Sequence, residues 1–242
     1  MATSTRRPER REQPLSRERI VEAAVELLDT AGEGGLTFRA LTERLATGPG
    51  AIYWHVANKG ELLGAATDAV VAAALALEPA APTAPTAPTG HAGSPQEGIR
   101  AVALGLFEAI DAHPWLATQL SGQLSRSPSG PVAPRIFESF GRQVGALGVP
   151  ERDWFTATSV LVHYVLGAAG QNAANAASAR ALGPEVDRAE ILGTVARAWG
   201  DLDPDDYPFT RAVADQLREH DDREQFLAGV DLVLTGITAR LR

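Results

Sequence analysis

The chain has 242 residues, of which 45% are hydrophobic and 21% are charged, and it contains no cysteine. This length and apolar content allow one large core or two small ones, and the lack of cysteine excludes disulfides, thiolate nucleophiles and thiolate metal ligands. The formal net charge of −8 is uneven, because residues 1–62 hold nine basic and nine acidic side chains, whereas residues 63–242 hold 13 basic and 21 acidic ones. A neutral head followed by an acidic body would orient the chain on a polyanion such as DNA, although acidic bodies are also ordinary in soluble proteins.

Residues 1–15 show no apolar periodicity, and we predict a flexible basic arm there. Its four arginines are Arg6, Arg7, Arg10 and Arg11, and they either enter the minor groove of a duplex or stay solvated. No apolar run follows them, so the pattern is not that of a signal peptide. No apolar stretch reaches the roughly 20 residues of a membrane span, and we predict a cytoplasmic protein with no membrane partner.

A helical head is predicted over residues 16–62. Ser16 and Thr37 are good N-caps for its first two helices. A third helix over residues 49–56 begins with proline, which suits the first helical turn, and Asn58 caps a fourth helix. Because the second and third helices are short and joined by a tight turn, the pattern predicts a helix-turn-helix.

The larger body, residues 63–242, is predicted to be helical as well. It contains a low-complexity linker over residues 79–95, in which Ala-Pro-Thr occurs three times, and this composition predicts a disordered, extended segment. From residue 96 onward apolar residues recur every three or four positions. Because strand-like alternation is absent throughout, we predict an all-α fold with an N-terminal three-helix helix-turn-helix domain and a larger α-helical domain.

The helix-turn-helix carries residue types that suit a DNA groove. The small residues that begin its third helix, and that let the backbone approach a duplex closely, are Pro49, Gly50 and Ala51. Tyr53-Trp54-His55 follows, and its hydroxyl, flat apolar ring system and ring nitrogen suit phosphates and thymine methyl groups. The alternative is that Tyr53 or Trp54 belongs to the core, but three consecutive bulky residues cannot all face inward on one helix.

Residues 16–77 resemble the tetracycline-repressor (TetR) family of bacterial transcription regulators. The resemblance rests on Tyr53-Trp54-His55-Val56-x-Asn58-Lys59-x-x-Leu62-Leu63 and on C-terminal segments that begin at Tyr207, His220 and Gly229. It implies a homodimer whose head binds double-stranded operator DNA and whose body dimerises and holds a small-molecule effector.

The resemblance also implies which residues contact DNA. The matching positions in this chain are Arg39, Pro49, Gly50, Ala51, Tyr53, Trp54, His55 and Lys59. Arg39 matches a base or phosphate contact, and Lys59, the only lysine in the chain, matches a phosphate contact. Gly48 and Gly50 replace larger polar residues common in the family, so base choice is expected to depend on Arg39, on apolar contacts and on DNA shape.

Two apolar stripes in the body are candidates for the dimer interface. They consist of Phe226, Val230, Val233, Ile237 and Leu241 on the last helix and of Phe155, Val162, Val165 and Ala169 on a long central helix. Paired between two chains, they would form a four-helix interface. The alternative is that both stripes face the core of their own chain.

Candidates for the effector site are polar or aromatic residues that interrupt apolar helices. We select Trp115, Gln119, Gln123, Phe137, Phe140, His163, Tyr164, Gly167, Gln171, Asn172 and Asn175. Mostly apolar walls with a few polar groups suit a small lipophilic, antibiotic-like molecule. For a lone histidine such as His163, the alternative is a buried residue with no ligand role.

The sequence contains no catalytic motif, phosphate-binding loop or dinucleotide fingerprint, and we predict neither an enzyme nor a cofactor or metal site. Asp201, Asp203 and Asp205 begin like a calcium loop, but Asp206 and Ala212 stand where glycine and glutamate are required, which favours a simple acidic turn. We therefore predict a ligand-responsive repressor. The alternatives are a drug-sequestering or sensor protein without DNA binding, an all-α enzyme that acts on the bound compound, and an activator.

Overall fold

The computed structural model describes residues 15–76, 93–181, 183 and 187–239. Within these ranges the chain forms α-helices and one short 3-10 helix and contains no β-strand, which confirms the all-α fold class. None of the helices described there is long and apolar enough to cross a membrane. The predicted arm with Arg6, Arg7, Arg10 and Arg11, and residues 79–92 of the predicted linker, lie outside the described residues.

The chain divides into two compact units, Met1–Ala66 and Thr67–Arg242. The helices that begin in the first unit are α1 (Arg17–Gly35), α2 (Phe38–Leu45), α3 (Pro49–Tyr53) and α4 (Lys59–Leu75). The two predicted caps are confirmed, because Ser16 Oγ accepts the N–H of Arg19 at 3.3 Å and Thr37 Oγ1 accepts that of Ala40 at 3.1 Å. These caps satisfy backbone N–H groups that a helix start leaves without intrahelical partners.

A small apolar core holds α2 and α3 together. Leu41, Ile52 and Val56 are at most 1% exposed, as their helical spacing predicts. The turn between the helices begins at Ala46, whose left-handed φ of 48° ends α2. The third helix ends at Tyr53, before the predicted residue 56, because the N–H of His55 bonds to Ile52 O at 2.9 Å in a tighter turn.

The second unit is built from eight further α-helices within the described residues. They are α5 (Pro95–Ala112), α6 (Trp115–Arg126), α7 (Val132–Ala146), α8 (Trp154–Ala181), α9 (Arg188–Gly200), α10 (Pro208–Ala212), α11 (Ala214–Arg218) and α12 (Asp222–Ala239). The linker prediction is wrong at its C-terminal end, because Pro95 is the first residue of α5 and Ser94 is its cap. Ser94 and Glu97 form a capping box, with the N–H of Ser94 bonded to Glu97 Oε2 at 2.6 Å.

Helix α8 lies at the centre of the second unit and packs on α5, α6, α7 and α12. Five residues of the predicted dimer stripes are at most 2% exposed in the single chain, namely Val162, Val165, Ala169, Phe226 and Val230. For these residues the dimer prediction is wrong, because a helix surrounded by neighbours needs apolar side chains on more than one face to form the core of its own chain. Phe155, by contrast, is 75% exposed, and Leu241 lies outside the described residues.

Helices α9, α10 and α11 pack on one another in a small group. Ala196 and Ala214 are the buried apolar residues of this group within the described part of the chain. A polar cluster joins the group to α12, because the Asp222 carboxylate forms an ion pair with Arg188 at 2.6 Å and lies 2.8 Å from His220 Nε2. A group with so few large buried side chains is held more by polar contacts than by a core of its own.

Candidate DNA-binding surface and ligand groove

The tyrosine–tryptophan–histidine triplet lies at the end of α3 and is largely exposed. Trp54 is 88% exposed and Tyr53 is 53% exposed, whereas His55 is half-buried. The alternative that Tyr53 or Trp54 belongs to the core is therefore wrong. Pro49, Gly50 and Ala51, at the other end of α3, are exposed too. Helix α3 and the two residues after it therefore present six of the predicted DNA-contacting residues on or near the surface.

Tyr53 is held in place by an aromatic neighbour that sequence reasoning missed. The rings of Phe38 and Tyr53 stack with their centroids 4.5 Å apart and their planes inclined by 11°. Phe38 is the first residue of α2, directly after the cap Thr37. Its aromatic side chain was the only feature of the sequence that could have indicated this contact. The stack fixes the Tyr53 ring while its edge stays in water.

Arg39 projects from α2 and pairs with the next turn of the same helix. Its Nε donates to Glu43 Oε1 at 2.9 Å, and the two side chains are 88% and 66% exposed. The hydrogen bond to Glu43, followed by the charge of that carboxylate, raises the pKa of the Arg39 guanidinium. The predicted DNA contact therefore lies on the surface as a fully charged group with a defined partner.

Lys59 lies at the start of α4 and already has a partner within its unit. Its Nζ donates to the backbone carbonyl of Glu33 at 2.6 Å, near the end of α1. A cation at a helix C-terminus satisfies a carbonyl that has no intrahelical partner and interacts favourably with the helix dipole. The phosphate contact predicted for Lys59 stays a prediction, and the structure adds this second role.

The start of α4 is stabilised by a carboxylate that was not among the predicted residues. Asn58 Oδ1 accepts the N–H of Glu61 at 2.9 Å, as predicted for a cap. Glu61 in turn accepts the N–H of Ala57 at 2.9 Å and pairs with Arg17 of α1 at 3.1 Å. The hydrogen bond from Ala57, and then Arg17, hold the pKa of the Glu61 carboxyl below its ordinary value.

A groove of about 590 Å³ opens in the second unit between α6, α7 and α8. Its lining residues are Ser121, Leu124, Ser125, Pro128, Ala133, Pro134, Phe137, His163 and Leu166. Two of them, Phe137 and His163, belong to the predicted effector site. The other seven are small, aliphatic or proline residues, which the search for polar and aromatic interruptions in apolar helices could not select.

The remaining residues predicted for the effector site do not line this groove. Trp115, Gln119 and Phe140 are buried inside the unit, Gln123 and Asn172 are partly buried, and Gly167, Gln171 and Asn175 are exposed on α8. Gln171 Nε2 donates to Asn175 Oδ1 at 2.9 Å. The eleven predicted residues therefore occupy different faces of α6, α7 and α8, and the structure brings only Phe137 and His163 into the described groove.

Tyr164 has a packing role between helices. Its hydroxyl donates to the backbone carbonyl of Phe226 on α12 at 2.9 Å, and its ring stacks on that of Phe226 with centroids 5.9 Å apart. A Cβ on Gly229 would overlap the Tyr164 hydroxyl, so glycine is required where the two helices cross. Burial raises the pKa of the Tyr164 hydroxyl, as expected for a phenol that acts as a hydrogen-bond donor.

A second groove, of about 360 Å³, lies between the start of α8 and the end of α12. It is lined by Val149, Pro150, Asp153, Thr156, Ala157, Val160, Val233, Gly236 and Ile237. The large apolar residues Trp154, Phe155, Val160 and Leu232 of α8 and α12 are exposed, and the Phe155 ring stacks on that of Phe137 of α7 with centroids 6.1 Å apart. The result is an apolar surface on two neighbouring helices of the second unit.

In the described part of the chain, no group of three or more histidine, aspartate or glutamate side chains is arranged to hold a metal ion. The acidic segment between α9 and α10 forms a turn in which Asp203 Oδ1 accepts the N–H groups of Asp205 at 2.8 Å and Asp206 at 3.4 Å. Asp203 thus uses its carboxylate to order the backbone of its own loop.

Comparison with known protein families accounts for nearly the whole chain. The model for bacterial regulatory proteins of the TetR family matches residues 20–66, and the model for the tetracycline repressor-like C-terminal domain matches residues 87–241. This chain belongs to the TetR family. The resemblance proposed from the tyrosine–tryptophan–histidine segment is thereby confirmed, and this TetR-family protein has both the DNA-binding and the C-terminal domain of the group.

Curated relatives of this TetR-family protein are transcription regulators by name. It is 33% identical over 165 residues to an HTH-type transcriptional regulator of Saccharopolyspora erythraea. The aligned residues cover 66% of this chain and 64% of the relative. It is also 31% identical over 165 residues to the HTH-type transcriptional repressor DrrR1 of Streptomyces coeruleorubidus. In this case the aligned residues cover 68% of this chain and 56% of the relative. The chain thus spans less than two thirds of the length of these relatives.

Among solved structures, the transcriptional regulator SCO7222, a TetR protein from Streptomyces coelicolor, is 68% identical to this TetR-family protein. The match covers 95% of this chain and all of that chain, with a TM-score of 0.83. Identity at this level over the full length extends the family assignment to the segment between the two family models. The TetR-family fold therefore includes all the residues that form the exposed α3 surface and the α6–α8 groove.

Proposed function

We propose that this TetR-family regulator is a ligand-responsive repressor that binds a palindromic operator as a homodimer and is released by a small lipophilic, antibiotic-like molecule. The observation that carries the proposal is the exposed surface of α3. Trp54 leaves 88% of its surface in water, next to exposed Tyr53 and the partly exposed His55. Adjacent exposed aromatic side chains such as Tyr53 and Trp54 are typical of a surface that is covered by a partner.

Double-stranded DNA is the partner that this surface fits best. The helix-turn-helix presents the second helix of the pair to the major groove, and the matched family model is that of bacterial regulatory proteins of the TetR family. BioQ, which is 27% identical over 93% of this chain and 99% of its own, with a TM-score of 0.56, has been solved with its natural double-stranded DNA operator. Its DNA complex supports the same class of partner here.

Two identical chains would pair through the apolar surface around the α8–α12 groove. Phe155 and Leu232 are 75% and 74% exposed, and both lie on helices whose other faces are buried in the unit. A two-fold axis through such a surface gives a self-complementary contact. In our proposal the resulting dimer binds a palindromic operator, whose two half-sites lie about 34 Å apart, one turn of DNA.

The effector would bind in the α6–α8 groove. Its volume of about 590 Å³ lies within the range of roughly 300–1,000 Å³ of small-molecule sites, and its mostly apolar lining with one histidine suits a flat, lipophilic compound. ActR of Streptomyces coelicolor, 24% identical with a TM-score of 0.71, shares this fold and has been solved with actinorhodin. In our proposal the effector selects a form in which α4 has shifted, so the two recognition helices no longer match successive grooves.

The direct test measures binding of the full-length protein to duplexes from the DNA that flanks its own gene, at fixed salt. We expect one duplex to be bound by two chains and Trp54→Ala to weaken that binding at least tenfold. Phe209→Ala, which removes another exposed aromatic ring outside the helix-turn-helix, should leave it unchanged. Failure to bind any fragment at low salt would contradict the proposal. If the protein then still binds compounds such as actinorhodin, it is a sequestering or sensor protein instead, and turnover of the compound would indicate an enzyme.

Release by the effector has its own test, because coupling between two ligands is reciprocal. An effector that weakens operator binding by a given factor must itself bind more weakly, by the same factor, when operator is present. Actinorhodin serves as the first probe, titrated into the protein with and without saturating operator. Equal affinities in the two titrations, for every compound that binds the groove, would rule out ligand-controlled release.

A further inference from the structure

Direct reading of bases by this helix-turn-helix depends on few side chains. The cap and first turn of α3 are formed by glycine, proline, glycine and alanine, residues 48–51, whose side chains have no hydrogen-bonding group. A Cβ at Gly48 or Gly50 would meet nothing within 4 Å, so this stretch of α3 is bare backbone with open space in front of it. Hydrogen bonds to base edges must therefore come mainly from other residues, of which Arg39 is the longest and most exposed.

We propose, on the basis of the function above, that Glu43 is a positioning residue that determines base specificity by orienting Arg39 towards one guanine in each operator half-site. Glu43 Oε1 accepts from Arg39 Nε at 2.9 Å, and Nε lies on the stem side of the planar guanidinium. The terminal nitrogens Nη1 and Nη2 form the far edge of the group. This edge has the spacing of the two donors that bind O6 and N7 of guanine together.

The pair is better explained by specificity than by stability. An ion pair between two exposed side chains four residues apart contributes little to a helix, and a carboxylate near the phosphates opposes binding to any duplex. By contrast, Arg44, the other arginine of α2, pairs across to Glu26 of α1 at 2.5 Å and joins two helices. Among the residues that the structure describes, Glu43 pairs only with Arg39. A repulsive charge beside the reading group disfavours sequences that offer Arg39 only phosphate contacts.

The experiment compares base preference rather than overall affinity. A duplex is selected from a random-sequence pool by the full-length wild-type protein, and dissociation constants are measured at one salt concentration for this duplex and for all its single-base-pair variants. The proteins are wild type, Arg39→Ala, Glu43→Ala, Glu43→Gln and the double variant Arg39→Ala/Glu43→Ala. Glu22→Ala, which removes an exposed carboxylate from α1, is the matched charge control.

We expect Arg39→Ala to reduce the preference for guanine at one position of each half-site by about 10-fold or more, and Glu43→Ala to reduce it by about 3- to 10-fold at the same position. Glu43→Gln keeps an oxygen that accepts from Nε and should retain most of the preference. In the Arg39→Ala background, Glu43→Ala should leave base preference unchanged, because the two residues act as one unit. Glu22→Ala should change the affinity for all duplexes by one common factor.

The proposal is overturned if Glu43→Ala changes the affinity for every duplex by the same factor, as the Glu22 control does, because Glu43 would then act only as a charge. It is also overturned if the wild type selects a duplex with no position whose guanine preference depends on Arg39. A wild-type protein that enriches no duplex at all overturns the function proposed above together with this inference, and this outcome is distinct from the other two.

Discussion

Among single residues, Phe38 can influence the predicted contact between Tyr53 and DNA without touching the DNA itself. Its stack on Tyr53, with ring centroids 4.5 Å apart, restricts the tyrosine to one orientation. A pair of this kind contributes about 0.5–1.5 kcal/mol beyond its burial. In the free protein the Tyr53 ring is therefore already largely ordered, so Tyr53 would lose less conformational entropy on binding a duplex.

We predict that Phe38→Ala weakens operator binding by about 2- to 10-fold, the equivalent of that stacking energy. Phe38→Tyr, which keeps an aromatic ring, should bind nearly as the wild type does. The measurement is fluorescence anisotropy with a labelled operator, and circular dichroism verifies that the helix content is unchanged. In a Tyr53→Ala background Phe38→Ala should have no further effect on DNA binding, and an equal loss in both backgrounds would contradict the idea that Phe38 acts through Tyr53.

Lys59 Nζ donates to Glu33 O, and the contact with a DNA phosphate predicted for this lysine needs a separate test. If it also contacts a phosphate, Lys59→Ala should weaken binding to all duplexes alike and lower the slope of log K against log salt by about one. Lys59→Arg, which keeps the charge, should preserve the slope. An unchanged slope, accompanied by a lower free energy of unfolding, would assign the lysine to the end of α1 alone.

Among the helices, the crossing of α8 and α12 depends on one glycine and one tyrosine. A Cβ at Gly229 would overlap the Tyr164 hydroxyl, which donates to Phe226 O. We predict that Gly229→Ala lowers the free energy of unfolding by about 1–3 kcal/mol through overpacking, and that Tyr164→Phe lowers it by about 0.5–1.5 kcal/mol. Urea unfolding followed by circular dichroism gives both values.

The double variant Gly229→Ala/Tyr164→Phe should be more stable than the sum of the single effects, because loss of the hydroxyl removes the nearest of the three Tyr164 atoms that the added methyl group meets. The matched control is Gly170→Ala on α8, where a Cβ meets nothing within 4 Å and where better helix propensity should raise stability slightly. Strict additivity of the two changes would mean that the added methyl group and the Tyr164 hydroxyl do not compete for the same space.

The start of α4 should be sensitive to acid. Glu61 accepts from Ala57 N–H and pairs with Arg17, and these contacts hold its pKa below the ordinary value of 4.5. A depressed pKa in the folded state means that the contribution of Glu61 to stability is present above pH 4.5 and is lost as the pH falls through the depressed value. The wild type should therefore be more stable than Glu61→Gln at neutral pH, and the two should converge in acid, which thermal unfolding at a series of pH values would measure. A difference that persists unchanged in acid would mean that the charge of Glu61 is not what stabilises α4.

For the whole molecule, the exposed apolar surface on α8 and α12 should decide the oligomeric state. We predict that the wild type is a dimer in sedimentation velocity and that Phe155→Asp with Leu232→Asp shifts it towards monomer, because two charges would be buried without partners at a two-fold contact. Phe209→Asp places the same charge on an equally exposed residue of α10 and should leave the dimer intact. A wild-type monomer at micromolar concentration would contradict the proposed operator geometry.

Some features of this protein were determined by local sequence alone. The caps at Ser16, Thr37 and Asn58, the all-α class and the exposed triplet on α3 follow from side chains that act within one or two turns of their own helix. Such interactions need no information about distant parts of the chain. The family resemblance could be found for the same reason, because each segment that carries it is short and continuous.

The tertiary structure decided which face of each helix in the body is buried. Apolar spacing along α8 and α12 indicates a packed face but does not tell whether the partner is the same chain or a second copy, so Val165 and Val230 turned out to belong to the core. The effector groove depends equally on α6, α7 and α8 meeting, which brings small residues such as Ala133 and Pro134 beside His163 without any local signal. Helical periodicity shows which face of one helix is apolar, whereas burial and cavities depend on how several helices pack together.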